Sequence, residues 1–169
     1  TITMTIKHIF TNRQMFDSFN QTNENLETLY TAISLCNNAE FSENKTLLGD
    51  ATETSMLLHL SSFAPLHLEN RKKFERKKEF PFDSDRKIMS TINNMNSCYK
   101  MFSKGALDFL LPKCTKILID GKEESLSENH KLQILKAVTT LAEKAERVLA
   151  VATKTISPQE IETAKEDNL

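Results

Sequence analysis

Glycine is scarce in this chain: Gly49, Gly105 and Gly121 are the only three among 169 residues. Neither GxxxxGKS/T nor GxGxxG can be assembled from them, so a nucleotide bound here would not be cradled by a glycine-rich phosphate loop. Cysteine is limited to Cys36, Cys98 and Cys114. The count is odd and the spacing matches no zinc motif, which points to buried reduced thiols and a reducing compartment. His8, His59, His67 and His130 are scattered, with no pair at metal-ligand spacing. No run approaches the ~18 apolar residues that cross a bilayer, and no basic-then-apolar leader opens the chain. A formal net charge of −1 excludes a global field that would draw nucleic acid or an anionic membrane. The first residue is Thr1 rather than Met, as in a piece of a longer chain.

What is present reads as one ordinary domain, with 39% hydrophobic and 27% charged residues around a single core. Periodicity and punctuation predict a strand at Met4–Phe10 and helices at Asn25–Cys36 and Gly49–Phe63, the second stopped by Pro65. The basic run Arg71–Lys78 reads as a solvated helix face with Phe74 turned inward, a polyanion site being the alternative. Strands follow at Glu79–Phe82, Lys87–Ile92 and Ser97–Ser103, then a helix at Ala106–Cys114 stopped near Pro112. Lys116–Ile119 runs into a hairpin turn at Gly121. Ser127–Ala145 is an amphipathic helix capped by Ser127, with Leu132, Leu135, Val138 and Leu141 as its apolar stripe and Ile134 broadening it. Arg147–Thr153 is β-like, and the polar tail Ser157–Leu169 leads into a linker. This order predicts an α+β domain over residues 1–169, with a mainly antiparallel twisted sheet flanked by helices.

Four stretches carry candidate chemistry. GDATET (Gly49–Thr54) sets Asp50 and Glu53 at a helix start, where carboxylates favour the positive end of the dipole. PFDSDRK (Pro81–Lys87) sets Phe82 before a charged turn, FSKGA (Phe102–Ala106) puts Lys104 before Gly105, and RVLAVA (Arg147–Ala152) opens with an arginine. Each has an ordinary reading: helix capping for the carboxylates, core packing for Phe82, and surface charge for Arg147.

Taken together, the stretches resemble the nucleotide-binding (N) domain of P-type cation-transporting ATPases, nearest the bacterial calcium-pump branch. GDATET, FPFDSDRKIMST (Phe80–Thr91), FSKGALDFLL (Phe102–Leu111) and RVLAVATK (Arg147–Lys154) stand in the family's order. The likeness runs from about residue 39 to residue 154. Met4-Thr5-Ile6 is similar to the segment after the phosphorylation motif of these pumps. The resemblance implies an ATP site in which Phe82 stacks on adenine and Glu53 accepts a hydrogen bond in the adenine region, with Asp50 and Thr52 nearby. It implies that Lys104 lies deep against the base, that Gly105 permits close approach, and that Leu149 helps enclose the base. Lys87 and Arg147 would reach toward the phosphates. The chain departs from the pattern at Leu107 and Asp108, where proline and glutamate often stand, and at Ser84, where the animal pump has an arginine. Lys87 or Arg86 is the substitute expected for that arginine.

No DKTGT occurs in the sequence. The resemblance therefore implies a fragment that binds ATP and leaves phosphorylation to an aspartate elsewhere, with Mg²⁺ entering in the intact pump. It implies a cytoplasmic domain of an integral membrane protein, with the phosphorylation and actuator domains of the parent chain as partners. No nucleic acid, no direct membrane contact and a monomeric state in isolation are expected, and the ligands of the transported ion would lie in membrane helices outside these residues. Two other readings stand beside this one: an N-like domain without nucleotide binding that docks proteins through Arg71–Lys78, and an enzyme using Asp50 and Glu53 as an acid–base pair.

Overall fold

The computed structural model describes residues 4–21 and 23–169. Its centre is a four-stranded antiparallel sheet in the order β10-β7-β6-β5, built from β5 (Arg76–Phe80), β6 (Ile88–Asn94), β7 (Tyr99–Gly105) and β10 (Ala150–Ile156). Residues directly opposite in an antiparallel pair share a face, and successive residues alternate. The register Met89↔Lys104↔Val151 and Thr91↔Phe102↔Thr153 therefore lines one face. Ile88↔Gly105↔Ala150 and Ile92↔Met101↔Lys154 line the other.

The first face is covered by α1 (Glu24–Leu35) and α2 (Ala51–Phe63). The predicted helical periodicity of α1 yields two buried stripes. Ala32, Leu35 and Cys36 pack on Met89 and Phe102 of the sheet. Leu26, Tyr30 and Ile33 pack on Met56, Leu57 and Leu60 of α2, so α1 lies between α2 and the sheet. Each large aliphatic side chain buried this way contributes about 1.5–3 kcal/mol. Asn23 caps α1 through the Leu26 amide at 2.8 Å, and Asp50 caps α2 through the Glu53 amide at 2.8 Å.

The second face buries Ile88, Ile92 and Met101 against Leu110, Ile156 and Leu169. Leu110 belongs to α4 (Leu107–Leu110), a single turn that passes into a 3-10 turn at Leu111–Lys113. The helix in Ala106–Cys114 thus stops just before Pro112, as expected of a residue that cannot continue the α-helical ladder. Leu169 belongs to the tail expected to be a linker. The tail's Lys165 and Asp167 carbonyls each accept from Lys154 Nζ of β10 at 2.6 Å, while Ile161, Ala164 and Leu169 pack on the core.

Other expectations are corrected locally. The strand predicted at Met4–Phe10 is confined to β1 (Ile9–Thr11), paired with β2 (Gln14–Phe16). The run Arg71–Lys78 is not one helix: α3 (Asn70–Lys73) ends at Phe74, which packs inward, and β5 begins at Arg76. Helix α5 (Glu128–Glu143) forms where predicted, with Ser127 capping it. Leu132 and Leu135 nonetheless stay 65% and 45% exposed; the packed face runs through Ile134, Ala137, Val138 and Leu141. Two short hairpins complete the domain: β3 (Glu40–Phe41) with β4 (Leu47–Leu48), and β8 (Lys116–Ile119) with β9 (Lys122–Ser125). The second turns at Asp120 and Gly121, both at positive φ, as a two-residue hairpin requires.

Candidate functional site

Lys104 sits one residue before the end of β7, in a row with Met89 and Val151. Its ammonium is withdrawn from solvent and donates to Glu53 Oε1 on the first turn of α2 at 2.5 Å. The two side chains are 8% and 12% exposed. The second Glu53 oxygen accepts from the Asn38 backbone N–H at 3.1 Å, and its carbonyl accepts from Asn37 Nδ2 at 3.1 Å. Asp50 is occupied as the cap of α2, so the ordinary reading holds for Asp50 and fails for Glu53. With one carboxylate capping and the other ion-paired, the two do not form an acid–base pair.

The segment that presents Asn37 and Asn38 to Glu53 is held by the basic run. Arg71 donates from Nε to Ser34 O at 3.1 Å, from Nη1 to Ala39 O at 2.5 Å and from Nη2 to Asn37 O at 2.7 Å. Arg76 Nη2 donates to Leu35 O at 2.9 Å. The last turn of α1 carries no basic residue of its own, and these guanidiniums satisfy the carbonyls left free at its C-terminus. Burial pushes the Arg71 pKa down. Both arginines are thereby withdrawn from any docking or polyanion surface, which leaves Lys72, Lys73 and Lys77 exposed.

The loop at residues 81–87 joins β5 to β6 at the same end of the sheet. Asp83 Oδ1 accepts from the Asp85 and Arg86 amides at 2.7 and 3.0 Å, an Asx turn. These backbone hydrogen bonds, Arg86's first, hold the Asp83 carboxyl below its ordinary pKa. The Lys87 amide donates to Asp83 O at 2.6 Å, and Lys87 itself adopts φ 58°. Phe82 lies just past the strand predicted to contain it and is 62% exposed, in a loop where only Arg86 is partly buried. Ser84 and Lys87 are exposed beside it. Arg86 is not free: Nη2 donates to Pro81 O at 2.6 Å and to Ile88 O at 2.9 Å.

Gly105 ends β7 against this loop. A Cβ there would lie 2.3 Å from Lys87 O and 2.9 Å from Ile88 Cα. The group that demands glycine is thus the chain's own backbone at the loop exit. Gly105 also pairs with Ala150, so the strand entered through Arg147 and Leu149 starts level with it. Arg147 stands in the approach to β10 rather than in the strand, exposed, and Leu149 packs partly against α1 and α2. Thr52, Arg147 and Leu149 line a cavity of about 1170 Å³ bounded by α1, α5 and β10.

All four candidate stretches therefore meet at one end of the sheet: the start of α2, the 81–87 loop, the end of β7 and the entry to β10. Sequence reasoning did not single out Asn38, Asp83 or Glu166, which hold these parts in place. Asp83 had a legible signal in the turn composition of PFDSDRK; the others act through contacts across 15 to 76 residues of chain.

The three cysteines are free, Cys36 buried and Cys98 and Cys114 partly so. Burial pushes the Cys36 and Cys114 thiols up to about 11. Among the described residues no helix is long and apolar enough to cross a membrane, and no three acidic, histidine or cysteine side chains gather as a metal site.

Fold and site thus define an α+β module with Phe82, Lys87 and Arg147 exposed near one end of a four-stranded antiparallel sheet. The chain belongs to the family of the P-type ATPase cytoplasmic domain N, which it matches over residues 25–169. It is 39% identical over 153 residues to calcium-transporting ATPase 1 of Bacillus cereus, covering 89% of this chain and 17% of that one. It is 36% identical over 139 residues to calcium-transporting ATPase 1 of Lactococcus lactis, covering 82% and 16%. Against the potassium-transporting ATPase alpha chain 1 of Xenopus laevis it is 30% identical over 168 residues, covering 86% and 16%.

Proposed function

We propose that this chain is the ATP-binding domain of a P-type cation-transporting ATPase of the calcium-pump type, a cytoplasmic part of an integral membrane protein. Its task is to present the γ-phosphate of ATP to an aspartate in a phosphorylation domain. What supports this reading is the Lys104–Glu53 pair at the end of β7, with the loop that bears exposed Phe82 and Lys87 closing on Gly105 and the entry to β10 pairing beside it. The bacterial relatives named calcium-transporting support the choice of ion.

An exposed phenyl ring offers offset stacking to a purine, worth about 0.5–1.5 kcal/mol beyond area burial. Lys104, neutralised by Glu53 and flanked by Met89 and Val151, suits the base end, where a free charge would be costly. Lys87 and Arg147, both exposed, suit the triphosphate. Ser84 offers only a hydroxyl there, and Arg86 is already committed to backbone carbonyls. Flexible side chains are less preorganised than a backbone nest, so the isolated domain should bind ATP weakly, on the order of 0.1 to several mM. Its contribution to phosphoryl transfer is positioning. Cations suit phosphate oxygens and not a divalent metal, so the Mg²⁺ that accompanies ATP in the intact pump would take its ligands from the triphosphate and from outside these residues.

Amide shifts followed by NMR during titration with ATP, AMP and GTP test the reading, repeated with Phe82→Ala and Lys104→Glu. ATP should shift residues of the 81–87 loop, of β7 and of the start of α2, and each substitution should weaken binding about tenfold or more. Unchanged spectra at millimolar ATP refute nucleotide binding. Binding that survives both substitutions refutes the site.

A further inference from the structure

The tail at residues 157–169 does more than cover the sheet. Glu166 carries a carboxylate that is only 6% exposed, unusual for an acidic side chain without a function in holding something. Its Oε2 accepts from Ser90 Oγ at 2.9 Å, and Ser90 Oγ lies 2.6 Å from Ser103 Oγ on the neighbouring strand. Its Oε1 lies 2.9 Å from Arg86 Nε. The Nε–H is not aimed at that oxygen, so this is a charge contact rather than an aligned hydrogen bond. The guanidinium it neutralises is the one that ties the loop shut: Arg86 Nη2 reaches Pro81 O at one end and Ile88 O at the other. Between those anchors lie Phe82, Ser84 and Lys87, the last in the left-handed region that non-glycine residues adopt infrequently. The tail is itself pinned to both sides of the sheet, by Lys154 to Lys165 and Asp167 and by Lys78 to Ile161 O and Glu162 O at 3.2 and 3.1 Å.

We infer that Glu166 is a positioning residue for the nucleotide loop: through Arg86 it holds the 81–87 loop in the geometry that presents Phe82 and Lys87. The tail, the sheet and the loop then form one mechanical unit, and displacing Glu166 frees the loop from the opposite face of the sheet. Only the last step of this inference, a change in nucleotide affinity, rests on the function proposed above.

The test uses the whole chain and reads two quantities, amide hydrogen exchange without nucleotide and ATP affinity with it. In Glu166→Gln, exchange at the Lys87 amide should quicken ~10-fold or more while α5 and the β8–β9 hairpin stay unchanged. ATP should bind ~3–10-fold more weakly. Arg86→Gln should do the same, and the double variant should be no worse than Arg86→Gln alone, because one residue acts through the other. Ile92→Val serves as the control: it trims the same core cluster far from the loop, and should lower the thermal midpoint without quickening loop exchange. Loop exchange unchanged in Glu166→Gln, or quickened equally by Ile92→Val, overturns the inference whatever ATP does. Failure of the unsubstituted chain to bind ATP overturns the nucleotide reading instead and leaves the exchange result to decide the latch.

Discussion

Substituting Lys104 by methionine removes one half of the most enclosed ion pair at the site while keeping the length of the side chain. Glu53 would keep the Asn38 amide at 3.1 Å but lose its counter-charge with only 12% of its side chain exposed. At an effective dielectric constant near 20, two unit charges ~4 Å apart attract by ~4 kcal/mol. Breaking a buried pair from one side costs about 3–5 kcal/mol, so Lys104→Met should cost about 3 kcal/mol, given the partner that Glu53 retains. Glu53→Gln should cost about 2 kcal/mol, since the amide oxygen still accepts from Lys104. The double variant should cost less than the two singles together by about 2 kcal/mol, because neither charge is then stranded. Urea unfolding of all four proteins measures the cycle. Single-variant losses under about 1 kcal/mol that simply add would mean that the pair behaves as a screened surface contact, and the enclosed base end argued from it would fall.

Gly105→Ala should destabilise the domain by about 1–3 kcal/mol or more, because the new Cβ meets the Lys87 carbonyl at 2.3 Å and neither strand can yield without breaking the pairing; an unchanged unfolding midpoint in urea would refute the close approach. His59 gives a pH dependence. Burial lowers its pKa from 6.5 to about 4, and its Nε2 lies 2.9 Å from the Tyr30 hydroxyl, where a neutral ring can accept. The unfolded chain therefore takes up this proton first on acidification, so the contribution is whole above pH ~6.5 and is lost between ~6.5 and ~4, an upper bound of about 3 kcal/mol. Stability curves of the native chain and His59→Phe should diverge over that window, and parallel curves would refute the assignment.

Much of the architecture was legible because local rules agreed with it. The helices at α1, α2 and α5, the central strands and the Gly121 turn follow from periodicity, caps and turn residues. Errors came where a distant contact outweighed local composition. The basic run looked like a solvated face, yet Arg71 and Arg76 are spent on α1 carbonyls more than 30 residues away in the chain. The polar tail reads as leading into a linker, yet its backbone carbonyls accept from Lys78 of β5 and Lys154 of β10, and its Glu166 carboxylate accepts from Ser90 of β6. The α5 stripe read from the sequence holds at Ile134, Val138 and Leu141, but Leu132 and Leu135, also placed in it, stay largely exposed.

The ordered stretches GDATET, PFDSDRK, KGA and RVLAVA were enough, by themselves, to place the chain in its family, because such short motifs keep their residue types wherever the chain puts them. What they could not determine is how those residues are held. The neutralisation of Lys104 by Glu53, the diversion of Arg86 from phosphate to carbonyls, the exposure of Phe82 and the reach of Glu166 to the loop each depend on which strand lies beside which. Register and burial arise only when the sheet closes and the tail packs, and no local window of the sequence contains that information.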